Sequence, residues 1–337
     1  MIKIAQIGVG NYNHGVQIWK TLIANPDFFE VVGYALPENE RTVAPRAVEV
    51  FGSYPELTLE EVLINPEIEA VTIETEEKFL TKYAILAAKA GKHIYMEKPG
   101  GQSLSEFCEL IETVRRNKVV LQLGYMYRYN PVVIEVMNKI KNGDLGEIIS
   151  VEAQMGCYHK PVLRQWLANY KGGSTYYLGC HLIDLIMLIQ GKPNKIIPMT
   201  KGTGADGVEC EDFGFTLFEY PKGVSFAKVC SIEMGGYFRR GLCITGTKAN
   251  AYIYPFEEGT EEKMTTTLNY CDAPSFSAKS QVTVCKPFNR YENMMKSFAK
   301  CVTGEMQNPY SLNYELELYK TILFSCGVCE SESNTCK

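Results

Sequence analysis

The chain has 337 residues, 46% of them hydrophobic, with 39 acidic against 34 basic residues for a net charge of −5. That length allows two domains and a sizeable core. The interleaved, slightly acidic charge argues against nucleic acid as a partner, and no stretch approaches the roughly 18 apolar residues of a membrane span.

The first 125 residues alternate strand and helix. Strands are expected at 2–7, 30–36, 70–74, 93–96 and 119–123. The first strand begins so early that a signal peptide has no place before it. The run 81–90 puts Tyr83, Ala84, Ala87 and Ala88 on one helical face and stops at Gly91. The next helix opens on a capping box, Ser103 to Glu106, and buries Leu104, Phe107, Leu110, Ile111 and Val114. Such alternation implies parallel strands joined by right-handed crossovers, a doubly wound Rossmann sheet occupying 1–125.

After Gly124 the pattern changes. Asn130-Pro131 starts a helix that Gly143 ends, a strand covers 147–155, and an irregular polar and aromatic stretch runs to Gly173. A helix is expected over about 179–190. Strands then dominate from Lys195 to about Val284, with Phe213, Phe215 and Leu217 alternating against Gly214, Thr216 and Phe218, and a turn at 220–223. Helices close the chain around 291–303 and 314–329. The second domain, 126–337, is therefore expected to be α+β, with a large, mainly antiparallel sheet open on one face. An open face of that size needs cover, so a homodimer or homotetramer through the sheet is expected.

Most of the twelve cysteines, Cys108, Cys180, Cys230, Cys243 and Cys301 among them, lie in apolar or periodic segments. They read as small buried hydrophobes in a reducing compartment, which points to the cytoplasm. Cys326 and Cys329, with Cys336 beyond, have the spacing of half a zinc site or a redox pair. No second such pair and no clustered histidines accompany them, so no metal is expected.

Four constellations bear on chemistry. Gly8-Val9-Gly10 follows a strand and precedes a helix. The first glycine allows a tight turn and the second lets a pyrophosphate approach the helix N-terminus, but the third glycine of GxGxxG is replaced by Asn13. Cofactor contacts are expected from Gly8, Gly10, Asn11 and Tyr12. The second strand ends at Leu36 rather than at the acid that hydrogen-bonds a ribose. Glu38 or Glu40 is left for that role and Arg41 for a 2′-phosphate, so NAD is favoured with NADP open. The third constellation is Glu97-Lys98-Pro99, which places an ammonium group at a strand end, where such folds bind ligands. The fourth is Gly172 to Asp184, which sets His181 behind a glycine-rich approach, with Tyr177 four residues before it and Asp184 one turn later.

These residues resemble the Gfo/Idh/MocA oxidoreductases, the glucose-fructose oxidoreductase and inositol dehydrogenase group, over nearly the whole chain. The resemblance rests on Gly8-x-Gly10, the string AGKHIYMEKP over 90–99, Gly124 to Pro131, Gly143 to Glu147, and the Gly172 to Asp184 segment. It implies that Lys98 and His181 act on a sugar or polyol hydroxyl. The family's aspartate four residues before the histidine is Tyr177 here, where a phenol either substitutes in proton handling or stacks on the substrate ring. The family's TPNxxH string reads Thr75-Glu-Glu-Lys-Phe-Leu80, so Thr75 survives in a loop that touches the cofactor. Arg128 and Glu97 match positions near the cofactor. Tyr127, Trp166, Tyr176 and Asp184 are expected to face a carbohydrate, with the stretch from Tyr158 through Arg164 to Tyr170 as its wall. The implied activity is hydride transfer between a sugar, polyol or glycoside carbon and nicotinamide. An NAD-dependent glycosidase of the same fold is one alternative. A non-catalytic dinucleotide-binding regulator is another, motivated by the missing ribose acid and the altered Thr75 loop.

Overall fold

A computed structural model describes residues 1–328. They form two compact units: Met1–Tyr125 with Tyr291–Leu316, and Met126–Arg290 with 317–328. No helix among the described residues is long and apolar enough to cross a membrane.

The first unit holds five parallel strands: β1 (Ile2–Ile7), β2 (Phe29–Ala35), β3 (Ala70–Ile73), β4 (His93–Met96) and β5 (Leu121–Leu123), ordered β2-β1-β3-β4-β5. β3 is buried along its whole length, and β4 all but its first residue, because helices cover both faces of such a sheet. Strand order reverses between β1 and β3, so the loops after them flank the crevice where this architecture holds ligands.

The helix Gly15–Ala24 buries Trp19, which meets Phe51 edge-on at 4.7 Å while Phe51 stacks on Tyr34 at 3.8 Å. A fully buried side chain of this kind is worth about 1.5–3 kcal/mol. Of the expected capping box, Ser103 accepts from the Glu106 amide. The full reciprocal box belongs instead to Thr58 and Glu61 ahead of Leu59–Ile64. β5 begins two residues later than expected because Lys118 turns left-handed after the helix Leu104–Asn117. The helix Glu292–Val302 belongs to this unit, where Gln122 Nε2 donates to the Met294 carbonyl at 2.9 Å.

The second unit is built on eight strands: β6 (Ile148–Gly156), β7 (Lys195–Lys201), β8 (Phe213–Tyr220), β9 (Gly223–Cys230), β10 (Gly241–Gly246), β11 (Asn250–Ile253), and, beyond a two-stranded ribbon of β12 (Glu258–Gly259) and β13 (Met264–Thr265), β14 (Thr267–Cys271) and β15 (Gln281–Val284). The sheet order is β15-β14-β11-β10-β6-β9-β8-β7. Every pairing is antiparallel except β6 with β9. Gly214, Thr216 and Phe218 are buried on the face toward the helix Cys180–Gln190, while Phe213, Phe215 and Leu217 lie on the other face. That second face is strongly apolar: Ile197, Met199, Val224, Tyr252, Tyr254, Val282 and Val284 are exposed, and Phe215 stacks on Phe226 at 5.1 Å.

The cysteine reading needs correction. Cys180 and Cys301 are buried free thiols, but Cys230 and Cys243 are only half-buried, and Cys108 is disulfide-bonded. Cys326 is buried, beyond a helix that ends at Ser325; Cys329 and Cys336 lie outside the described residues. Among the described residues, no three His, Cys, Asp or Glu side chains form a group that could hold a metal ion.

Candidate functional site

In the first unit the glycine turn is fixed by its neighbours. Gly8 and Gly10 have φ of +78° and +54°, which side chains other than glycine rarely adopt. A Cβ on Gly8 would stand 2.5 Å from Thr75 Cγ2, so the turn lies directly against the loop after β3. Gln6 Nε2 donates to the carbonyls of Gly8 at 3.0 Å and Gly15 at 3.2 Å. Asn13, which looks in the sequence like a lost glycine, is a clamp. Its Nδ2 donates to the carbonyls of Glu74 (2.8 Å) and Thr75 (3.0 Å), and its Oδ1 accepts from the Gly15 amide (3.0 Å). The first turn of Gly15–Ala24 carries no acidic residue, so the positive end of the helix is open to a pyrophosphate. Asn11 is exposed, Tyr12 half-buried and Thr75 fully buried.

The charged residues after β2, Glu38, Glu40 and Arg41, are all engaged. Glu38 accepts from Lys82 Nζ at 3.0 Å and from the Tyr83 hydroxyl. Arg41 pairs with Glu56 and reaches the Tyr34 hydroxyl at 3.2 Å. Glu40 is buried, accepts from the Glu38 amide at 2.9 Å, and is pushed up by that burial. Leu36 packs against the Trp19 cluster.

At the end of β4, Glu97 and Lys98 are buried, with Lys98 Nζ 3.8 Å from Glu97 Oε1. His14 Nδ1 lies 3.1 Å from the same oxygen. Burial pushes the Glu97 carboxyl up, but the His14 imidazole and Lys98 beside it outweigh that and hold it below the usual range. Two further buried glutamates, Glu74 and Glu77, stand in the same charge cluster, each in contact with the field of Lys98. In the sequence Glu77 stood out only as part of the altered loop after β3, and Glu74 read as the end of the strand.

In the second unit a π-helical turn, Thr175–Gly179, leads into the helix Cys180–Gln190. Such turns are rare and concentrate at functional sites. The approach needs its glycines: a Cβ on Gly172 would stand 2.5 Å from Cys326 Cβ, and one on Gly173 would stand 2.3 Å from the Glu211 carbonyl. The turn leaves Tyr177 half-buried, its ring 5.7 Å from Trp166 and 5.7 Å from His159. Tyr177 and Trp166 together back onto Leu167, Val208 and Cys210.

Tyr176 points the other way. Expected to face a substrate, it is fully buried and stacks on Tyr170 at 5.3 Å, so it is a core residue; the π turn sends neighbouring side chains to opposite sides. Arg164, expected in the wall, is also internal. Its guanidinium donates to Asp212 (3.1 Å), Asp206, and the carbonyls of His159 (3.2 Å) and Ala205 (2.9 Å).

His181 is buried with Tyr127 edge-on at 5.0 Å. The Tyr127 hydroxyl donates to Glu257 Oε2 at 2.7 Å and accepts from Arg290 Nη2 at 2.7 Å and Arg240 Nη1 at 3.3 Å. Burial pushes the Tyr127 phenol up. It pushes Glu257 up too, but the two guanidinium groups beside that carboxyl hold it down. No sequence signal joined Tyr127 to Arg240, Glu257 and Arg290. Arg128 and Asp184, expected to contact cofactor and substrate, form a buried ion pair. Nε donates to both carboxylate oxygens (3.1 and 2.9 Å) and Nη2 to Oδ1 (2.8 Å). The pair ties the loop before the helix Pro131–Lys141 to the helix that carries His181.

Comparison with known proteins accords with these features. Residues 2–125 match the family model described as the oxidoreductase family, NAD-binding Rossmann fold, and residues 133–252 match the GFO/IDH/MocA C-terminal domain. The chain is 28% identical over 262 residues to mouse (Mus musculus) trans-1,2-dihydrobenzene-1,2-diol dehydrogenase, covering 71% of this chain and 74% of that protein. In fold it resembles a levoglucosan dehydrogenase solved with NADH and levoglucosan, with a TM-score of 0.78 at 17% identity over 97% of each chain. It likewise resembles the UDP-N-acetylglucosamine 3-dehydrogenase of Acidithiobacillus ferrooxidans, with a TM-score of 0.77 at 17% identity over 97% of each chain.

Proposed function

Because this chain belongs to the Gfo/Idh/MocA oxidoreductases and its first unit is an NAD-binding Rossmann domain, we propose that it oxidises or reduces a CH–OH carbon of a sugar, polyol, glycoside or related diol. The turn Gly8 to Gly10 and the open N-terminus of Gly15–Ala24 fit the pyrophosphate, and the cofactor when bound accepts or donates the hydride. Lys98 and His181 handle the hydroxyl proton. Tyr177 and Trp166 offer aromatic faces to the apolar C–H side of the substrate. Arg128 and Asp184 act as a pair that positions the helix of His181, while Tyr127 packs on the imidazole ring.

The observation that carries this reading is Lys98. Burying an ammonium group disfavours folding by several kcal/mol unless carboxylates compensate, and here Glu97 does so at 3.8 Å. A protein that merely held a dinucleotide would gain nothing from that arrangement. NAD is favoured over NADP because cations beside the end of β2 are already engaged, Arg41 with Glu56 and Lys82 with Glu38.

The test is to follow NADH absorbance with NAD⁺ and a panel of levoglucosan, myo-inositol, UDP-N-acetylglucosamine and a trans-dihydrodiol. With a turned-over substrate in hand, Lys98→Met and His181→Ala should each lose about 100- to 10,000-fold in kcat while NADH still binds. Normal turnover in either variant refutes the assignment. Product release without net cofactor reduction would favour the glycosidase reading, and tight NADH binding with no turnover of any class would favour the regulator. The apolar open face of the eight-stranded sheet supports self-association through that face. Sedimentation of wild type against Met199→Glu/Val224→Glu tests it: a dimer or tetramer should fall to monomer, and a monomeric wild type refutes it.

A further inference from the structure

Three carboxyl groups and one ammonium group are buried together at the carboxyl ends of β3 and β4. Glu74, Glu77, Glu97 and Lys98 are 0%, 1%, 0% and 2% exposed. Both carboxyl oxygens of Glu74 and Oε1 of Glu77 meet no hydrogen-bonding partner among the described residues. His14, 3.1 Å from Glu97 Oε1 and with a side chain 20% exposed, leads from the cluster toward solvent. Asn13 ties the glycine turn to the backbone carbonyls of Glu74 and Thr75, so the turn lies against the stretch of chain that carries Glu74.

Three carboxylates facing one ammonium group cannot all be ionised in so dry a place. Burial, reinforced by Glu97 and Glu77 and opposed by Lys98, holds Glu74 well above the ordinary range. Burial lifts Glu77 to about 8, with Lys98 pulling down and Glu97 and Glu76 pushing up. Glu76 itself pairs with Lys78 at 3.1 Å. Glu97, held low by His14 and Lys98 against its burial, is the anion of the set. Glu74 is thus held toward its protonated form and Glu97 toward the anion, and Glu77, at about 8, is the member poised to change near neutral pH.

We infer that Glu77 is a proton store linked to the redox state of the cofactor: ionised while the oxidised dinucleotide is bound, protonated while the reduced one is. The inference rests on the hydride-transfer reading above. The oxidised nicotinamide ring carries one positive charge, which it loses on taking a hydride. An anionic Glu77 is favoured near that charge and disfavoured once it has gone. In the oxidising direction the C–H electron pair leaves as hydride, the O–H bond breaks and its electrons complete the carbonyl. The proton passes by Lys98 to the Glu77 carboxylate, where a new O–H bond forms, and it later leaves by Glu97 and His14 to water. The charge of the buried cluster plus ring is thus the same before and after the hydride moves. The linkage acts through space and needs no contact between Glu77 and the cofactor, in keeping with its burial.

The experiment measures dissociation constants for NAD⁺ and NADH, with NADP⁺ and NADPH in parallel, from about pH 6 to about pH 9.5. The ratio of Kd for the reduced to the oxidised form should rise with pH, about tenfold for each unit by which the Glu77 pKa differs between the two complexes. Glu77→Gln, which keeps the size and removes the charge, should make the ratio flat. In buffers of differing ionisation enthalpy, calorimetry near pH 8 should count more protons taken up with NADH than with NAD⁺. A ratio independent of pH in the wild type, equal proton uptake, or a slope that survives in Glu77→Gln overturns the inference. Should Glu77→Gln fail to fold, the wild-type proton count decides. Failure of every nucleotide to bind at any pH would instead remove the cofactor reading beneath it.

Discussion

The ion pair of Arg128 with Asp184 makes the sharpest stability prediction. Both side chains are buried, with relative exposures of 0% and 1%, and three hydrogen bonds of 2.8–3.1 Å join them. Asp184→Asn keeps the shape but removes the carboxylate charge that the buried guanidinium faces. Removing one partner of such a pair typically costs about 3–5 kcal/mol, whereas replacing both with apolar residues is often near neutral. The chain has only two tryptophans, Trp19 in the first unit and Trp166 in the second. In a Trp19→Phe background, urea unfolding followed by Trp166 fluorescence therefore reports on the unit that holds the pair. Asp184→Asn should lower the midpoint with little change in slope. Arg128→Leu/Asp184→Leu should recover most of the loss, giving a coupling energy of at least about 2 kcal/mol in the double-mutant cycle. A loss under about 1 kcal/mol for Asp184→Asn would mean the pair behaves as a solvated one, and the positioning role given to it would fail.

Gly8→Ala should weaken NADH binding at least about tenfold or unfold the first unit, because the new Cβ meets Thr75 and the backbone is left-handed there; unchanged affinity in a fluorescence titration would refute the close approach. Asn13→Ala, which removes three hydrogen bonds of the clamp, should cost about 1–3 kcal/mol of first-unit stability, readable from Trp19; Asn13→Gly should not restore it, since the clamp and not the turn conformation is lost. Glu77 carries a pH signature. Its folded value of about 8 lies above the unfolded 4.5, so its penalty is absent below the unfolded value, grows as pH rises between the two, and levels off above the folded one. Glu77→Gln should therefore gain stability over the wild type near pH 8, on the order of 3 kcal/mol, and gain little near pH 5; an equal difference at both pH values in urea melts would contradict this. Thr58→Ala should cost about 1 kcal/mol by removing the capping box on Leu59–Ile64, and Glu61→Gln rather less.

Much of the architecture was legible because periodicity reports burial. The apolar runs of β1, β3 and β4 and the stops at Gly91 and Gly143 lie where the pattern put them. Strand ends were less legible: the left-handed Lys118 shortens β5, and no propensity announces that conformation for lysine. Short-range motifs were readable in kind but not in direction. Tyr176 and Tyr177 look alike in the sequence, yet the π turn buries one and leaves the other half-exposed. Long-range partners were not readable at all. Asn13 looked like a deficit until its bonds to Glu74 and Thr75 were seen, and Tyr127 meets Glu257 across 130 residues. Arg128 and Asp184 were expected to contact cofactor and substrate, and spacing could not tell a contact to ligand from a contact to each other.

The π-helical turn also makes the bearing of His181 a matter of counting. An α-helix turns about 100° per residue, and a π turn accommodates one residue more than an α turn would. Deleting a single residue between Thr175 and Gly179 would let the chain run on as ordinary α-helix, with better local hydrogen bonding, and would swing the approach from Gly173 by about 100° relative to the imidazole. Such a deletion shortens the chain without altering His181, Tyr127 or the Arg128 pair, yet it would change the bearing of the helix that carries His181 relative to Tyr177, whose ring stands against Trp166 and His159. Insertions and deletions in this five-residue window, rather than substitutions, are thus the steps by which a descendant of this protein could re-aim the imidazole relative to the glycine-rich approach.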